Sequence, residues 1–267
     1  MSVGFLSEIV AEIRRDILRP DYVPDAPISD GAPRPSLRGA IEGAGPEGAL
    51  LVEYKRVSPG ATVPRLPSRT VEAFLAATQG ANVTAYSCVA TGPRFEGSPR
   101  DVATVARATP RPVLFKDFVV DPVQLDAAQL AGASAVLLIA RLESEGLLER
   151  PLAELAKMAH TRGLEVLLEL HARGEVKGAG DIGADAYGVN VRDLDTLQMT
   201  PEVTAKTLRA AAELRPLLGL SGVASPDDAR RLWSQGVDGI LVGSAVARAS
   251  DPAAFLRSLR RPRRGAR

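Results

Sequence analysis

GVDGILVG at residues 236–243 is the last of four stretches in which a glycine turn opens onto a strand-like apolar run. The others are GANVTAYSCV at 80–89, GASAVLLIA at 132–140 and GADAYGVNV at 183–191. Their first residues stand 52, 51 and 53 positions apart. Such a step is too long for one strand and helix and fits two, at about 25 residues per unit. Four further apolar runs fill the gaps: ALLVEYK from Ala49, PVLFKD from Pro112, LEVLLEL from Leu164 and PLLGLSG from Pro216. Helical patterns separate the strands at 68–79, 99–108, 122–131, 147–161, 173–180, 201–214, 225–235 and 251–260. Eight strands alternating with eight helices predict an α/β chain folded as a single (β/α)8 TIM barrel over 48–260. The competing architecture is an open doubly wound sheet. Regular spacing and the missing GxGxxG after the first strand disfavour it. The fifth helix is the weakest element, because Gly178-Ala179-Gly180 has low helix propensity.

Residues 1–47 read as an N-terminal helix and linker. Val3, Leu6, Ile9, Val10, Ile13 and Ile17 recur at three- and four-residue steps, an amphipathic helix suited to covering apolar surface. Pro20 ends it, and a Pro/Gly/Asp-rich linker follows, with a short helix near 36–42. Of 267 residues, 45% are hydrophobic, enough for a large core, while 4% are aromatic, too few for a base-stacking nucleic-acid surface. One cysteine and two histidines exclude a disulfide framework and a Cys/His metal cage. Net charge is +1, but the last eleven residues carry six arginines; without them the chain is at −5. The tail, 261–267, is expected to be solvated and frayed rather than to bind nucleic acid or membrane. No apolar run spans a bilayer, and Glu8 and Glu12 interrupt any signal-like start. A cytoplasmic protein is expected.

In a barrel of this kind the chemistry sits where strands end. Strand one ends in Glu53 and Lys55, which share a side of the strand because they are two apart. Strand three ends in Lys116 and Asp117, strand five in Glu169 and His171, and strand six in Asn190 and Arg192. Two lysines and two glutamates converging on one mouth can hold a lysine as general acid and a glutamate as general base. Ser221-Gly222 and Gly243-Ser244 end strands seven and eight, where backbone N–H groups and hydroxyls commonly bind phosphate. Ser58 could add a hydroxyl from the loop after strand one. His171 is expected to face outward, His160 to suit a helix C-terminus, and Cys88 to fill the core.

At these residues the chain resembles the indole-3-glycerol-phosphate synthase family of tryptophan biosynthesis. The matching motifs are VEYKRVSP at 52–59, FEGS at 95–98, PVLFKDFVVD at 112–121, LLIAR at 137–141 and LLELH at 167–171. GVNVRDLDTL at 188–197, SGVAS at 221–225 and GILVGSAV at 239–246 continue the series. The resemblance implies a carboxy-lyase acting on 1-(2-carboxyphenylamino)-1-deoxyribulose 5-phosphate, closing a ring with loss of carbon dioxide and water, without metal or organic cofactor. It implies that Lys116 is the general acid and that Lys55 pairs with the anthranilate carboxylate. Glu169 would be the general base, Glu53 would orient the lysines, and Asn190 would hold the sugar hydroxyls or the departing oxygen. Ser58, Ser221, Gly222, Gly243 and Ser244 would line the phosphate, Phe95 and Phe118 would lie against the ring, and Arg192 would join the substrate-binding set.

Three positions depart from the family pattern. Leu220 stands where a glutamate is usual, Ser87-Cys88-Val89-Ala90 replaces Ser-x-Leu-Thr, and Val191 replaces an asparagine. Loss of a carboxylate at Leu220 is expected to slow turnover. A paralogue acting on a related phosphosugar and a non-catalytic subunit of a biosynthetic complex are the alternative readings. A monomer is expected, with a complex with another pathway enzyme as the alternative.

Overall fold

The computed structural model of the chain describes residues 4–23, 34–59, 70–190 and 201–262. Eight parallel strands close into one barrel in sequence order: β1 (Ala49–Tyr54), β2 (Ala85–Val89), β3 (Val113–Lys116), β4 (Ala135–Ile139), β5 (Glu165–Leu170), β6 (Ala186–Asn190), β7 (Leu217–Leu220) and β8 (Gly239–Val242). β1 pairs with both β2 and β8, which makes the ring complete and leaves no open edge. All eight lie within the runs read from the sequence.

Each strand is buried on both faces, and alternation divides its side chains between two cores. Leu51, Leu114, Leu137, Leu167, Leu218 and Leu241 fill the barrel interior. Their neighbours Leu50, Phe115, Val136, Leu168 and Ile240 face the surrounding helices. Four of those helices begin with the same local device. Ser98, Asp121, Ser225 and Asp251 each turn a side-chain oxygen onto a backbone N–H of the first turn, and a proline follows in each case. The cap satisfies an orphan donor, and the proline sits where its missing N–H costs nothing.

The fifth helical segment is shorter than the predicted span. It forms a helix at Arg173–Val176 and a 3-10 turn at Ala179–Ile182, with Gly178 and Gly183 at φ 85° and 83° interrupting helical geometry. The predicted 147–161 helix begins at Leu152, after Pro151, and a separate short helix, Ala140–Ser144, follows β4 directly.

The extension closes both ends of the barrel. Helix α1 (Phe5–Asp16) buries Leu6, Ile9, Val10 and Ile13 against the interior core at the C-terminal rim. Glu8 and Glu12 bind Arg94 of the loop after β2, at 2.9 and 2.7 Å. Helix α2 (Leu37–Glu42) lies at the opposite end, where Ser36 Oγ and the Arg38 N–H donate to the Glu165 carboxylate at 2.5 and 2.8 Å.

Of the six C-terminal arginines, Arg263, Arg264 and Arg267 lie outside the described residues, and the other three differ from the expectation of a solvated end. Arg257 donates to the carbonyl of Gly80, and Arg260 donates to those of Gly48, Ala81 and Asn82. Arg261 donates to the carbonyl of Val237, and its guanidinium lies 4.9 Å from the Trp233 ring centroid. These residues fasten the chain end across the turns that lead into β1, β2 and β8. Unpaired carbonyls there outcompete water for the guanidinium groups. Arg260→Ala should therefore lower unfolding free energy by about 1–3 kcal/mol in urea denaturation. Arg257→Ala, at an exposed position with one such bond, should change it by no more than about 0.5 kcal/mol.

Candidate active site

The C-terminal ends of the strands surround a cavity of about 610 Å3. Its wall includes Glu53, Lys55, Ser58, Phe95, Lys116, Phe118, Glu169, Asn190, Ser221, Gly222, Gly243 and Ser244, so twelve of the thirteen residues proposed from sequence converge there. The thirteenth, Arg192, lies outside the described residues.

Glu53 is the centre of the charged half. Its side chain is 3% exposed, with Oε1 2.5 Å from Lys55 Nζ and Oε2 3.7 Å from Lys116 Nζ. Burial alone would raise its pKa, but the two ammonium groups outweigh that and hold it below the usual glutamate range. Burial works to lower the Lys116 pKa, and here Glu53 and Glu169 prevail and raise it, so the amine is held as ammonium. Gly243 is required beside this pair, because a Cβ there would lie 2.6 Å from Glu53 Oε1.

Across the mouth, Glu169 Oε1 accepts from Asn190 Nδ2 at 3.1 Å and faces His171 Nε2 at the same distance. Its Oε2 is buried without a hydrogen-bond partner. Burial opposes ionisation, yet His171, Lys116 and Asn190 together pull the carboxyl down to about 2. The histidine was expected to face outward. It instead turns into the barrel mouth, buried, because residues two apart on a strand share a face and β5 ends only at Leu170. His160 and Cys88 follow expectation: His160 bonds Asp185 at 2.9 Å on the outer surface, and Cys88 is fully buried in the outer core.

The hydroxyl half is built from three loops. Ser244 Oγ donates to Ser58 Oγ at 3.2 Å. Ser221 and Gly222 are both left-handed, at φ 65° and 75°. For a serine that conformation costs on the order of 1 kcal/mol and persists only where the surroundings impose it.

The aromatic wall pairs Phe95 and Phe118, with ring centroids 6.0 Å apart at 47°. Sequence reasoning missed a third ring, Phe5 of α1, which lines the same cavity under the Arg94 guanidinium at 5.0 Å. An aromatic residue lying off the apolar stripe of an amphipathic helix was the available signal. Leu220 points into the interior core at 1% exposure, in register with Asn190 and Leu241, and fills the space that Gly188 leaves.

The fold and this charged, strand-end cavity define a (β/α)8-barrel of enzyme architecture. The family model for indole-3-glycerol phosphate synthase matches residues 8–259, and the chain belongs to that family of tryptophan-biosynthesis enzymes. It is 34% identical over 215 residues to the indole-3-glycerol phosphate synthase of Staphylococcus aureus strain JH1, covering 80% of each chain. It is 38% identical over 218 residues to a multifunctional tryptophan biosynthesis protein of Schizosaccharomyces pombe, covering 79% of this chain and 28% of that longer one. Among solved structures, a 3-hexulose-6-phosphate synthase superposes with a TM-score of 0.59 at 21% identity, covering 79% of this chain and 97% of the other. Thiamine phosphate pyrophosphorylase from Pyrococcus furiosus superposes with 0.57 at 20%, covering 84% and 96%. At such identities these two establish the fold alone. Among the described residues no helix is long and apolar enough to cross a membrane.

Glu53 and Glu169 both have folded pKa values below the ordinary 4.5. A depressed carboxyl stabilises the fold above its unfolded pKa and loses that contribution as pH falls towards the folded value. Stability should fall as pH drops from about 4.5 towards 2, more shallowly in Glu169→Gln, as measured by thermal melting across that range.

Proposed function

We propose that this barrel is a carboxy-lyase that converts 1-(2-carboxyphenylamino)-1-deoxyribulose 5-phosphate into indole-3-glycerol phosphate, carbon dioxide and water. The observation that carries this reading is the arrangement of Glu53, its two lysines and the unpartnered Oε2 of Glu169 around one cavity. One ammonium group suits the substrate carboxylate and the other the ketone oxygen, while the serine and glycine loops suit the phosphate.

In the first step the aromatic carbon bearing the carboxylate attacks the ketone. Lys116, held as ammonium, gives its proton to the ketone oxygen as the carbon–carbon bond forms. Lys55 pairs with the anthranilate carboxylate until carbon dioxide leaves, and its departing bond electrons restore the aromatic ring. In the dehydration the new hydroxyl leaves as water with a proton from Lys55, while Glu169 Oε2 takes a proton from the substrate. Asn190 holds sugar hydroxyls. Ser58, Ser221, Gly222, Gly243 and Ser244 receive the phosphate, and Phe95 and Phe118 flank the anthranilate ring. Release of the product as an indole makes the assay direct. Purified protein mixed with this substrate should develop indole fluorescence, and its absence from a folded preparation would overturn the reading.

The relative from S. pombe carries its matching segment in a longer multifunctional chain. That supports association with other enzymes of the pathway, whether the barrel is otherwise monomeric or not. Its expected location is the cytoplasm.

Lys116→Met should abolish turnover while leaving substrate affinity within about tenfold, because a general acid acts mainly in the transition state. Unchanged turnover would remove Lys116 from that role. Leu220→Glu restores the carboxylate that the family resemblance places there. It should raise turnover and lower the melting temperature, since it exchanges interior packing for a buried charge. A folded variant no faster than the parent would show that Leu220 costs the enzyme nothing.

A further inference from the structure

His171 plays no part in the steps above, yet its ring is 3% exposed and lies between two carboxylates. Nε2 is 3.1 Å from Glu169 Oε1, and Nδ1 is 3.9 Å from Glu175 Oε2. Neither ring nitrogen has an aligned hydrogen bond within the structure, which is unusual for a buried imidazole. Glu175 is itself anchored, because its Oε2 accepts the His171 backbone N–H at 2.6 Å.

We propose that His171 is a positioning residue for Glu169. Flanked on its far side by Glu175, it engages Oε1 through Nε2 and leaves Oε2 to take the substrate proton. The inference rests on the reading of Glu169 as the base. The groups facing Glu169 are His171 at the end of β5, Lys116 from β3, Asn190 from β6 and, as a like charge across the mouth, Glu53 from β1. Removing the ring takes away a partner of the ionised carboxylate, so Glu169 keeps its proton to higher pH.

The test is the pH profile of kcat for the parent, His171→Gln, His171→Leu and Glu169→Gln. The acid limb should move up by about one pH unit in His171→Leu and by less in His171→Gln. The glutamine amide can still donate to Oε1, so His171→Gln should keep most of the plateau rate, whereas His171→Leu should lose about tenfold more. Folded histidine variants with the parental acid limb would overturn the inference, since lost packing lowers the plateau without moving the limb. Glu169→Gln separates the two levels: parental turnover there would defeat the base reading itself. Loss of turnover in Glu169→Gln, together with unmoved limbs in the histidine variants, would defeat only the role of His171.

A second measurement does not depend on either histidine variant folding. The chain has two histidines, so ring 15N spectra of the labelled protein are simple. One histidine should respond to both Glu169→Gln and Glu175→Gln, while the other, His160, stays put. Ring signals unchanged in both variants would overturn the proposal.

Discussion

One buried carboxylate, Glu53, holds two ammonium groups on one side of the barrel mouth, and the rest of the charged site is arranged around it. Taking an ion from water into a protein interior costs several kcal/mol, and pairing offsets that only when geometry is good. Here the geometry comes from the sheet. Val52 pairs in register with Val242, which brings Gly243 alongside Glu53. The absence of a side chain at Gly243 gives the carboxylate its space, and β3 brings Lys116 to its second oxygen. Removing Glu53 would leave two lysines facing each other near a buried surface, so its charge bears on stability as well as on the proposed chemistry.

A second constraint holds Lys116 at its station. The next residue, Asp117, is 3% exposed and accepts from Thr91, Tyr22, Gln124 and the Phe118 backbone N–H. Burial still pushes its carboxyl above the usual aspartate value, against the pull of those donors. Tyr22 comes from the segment after α1, so this hub ties the N-terminal extension to the end of β3. The same extension places Phe5 on the cavity wall and closes the rim through Glu8, Glu12 and Arg94. The extension therefore belongs to the site and is more than a cover for the barrel.

The fold was legible because its signals are local and repeated. Glycine turns recur every 51–53 residues with a further apolar run between each pair, and each strand fell inside its predicted run. The charged residues of the mouth were legible for a related reason: in a barrel, polar residues at strand ends have one place to go. Elements that depend on contacts far apart in sequence were not. Phe5 reaches the cavity only because α1 crosses the rim, and Arg257 and Arg260 find their carbonyls 177 and 212 residues away in the chain. A run of arginines at a chain end reads as solvated until those partners are in view. The orientation of His171 was within reach of sequence, since it lies two residues from an inward-facing glutamate. The expectation that it faced outward misapplied the alternation that correctly paired Glu53 with Lys55.

The charges of the mouth also bear on the order of events in the proposed reaction. Lys55 and Lys116 are matched by Glu53 and Glu169, so this cluster of side chains nearly neutralises itself. A substrate carboxylate then has to compete with Glu53 for Lys55, which lies 2.5 Å from it. Lys116, at 3.7 Å from the same group, is the looser partner and the freer to reach a ketone oxygen. Once carbon dioxide has left, the competing carboxylate no longer exists, and Lys55 is free either to return to Glu53 or to protonate the departing hydroxyl. The loss of carbon dioxide thus releases the acid that the dehydration needs. Two lysines sharing one carboxylate can in this way serve successive steps from nearly fixed positions, without a rearrangement of the barrel between them.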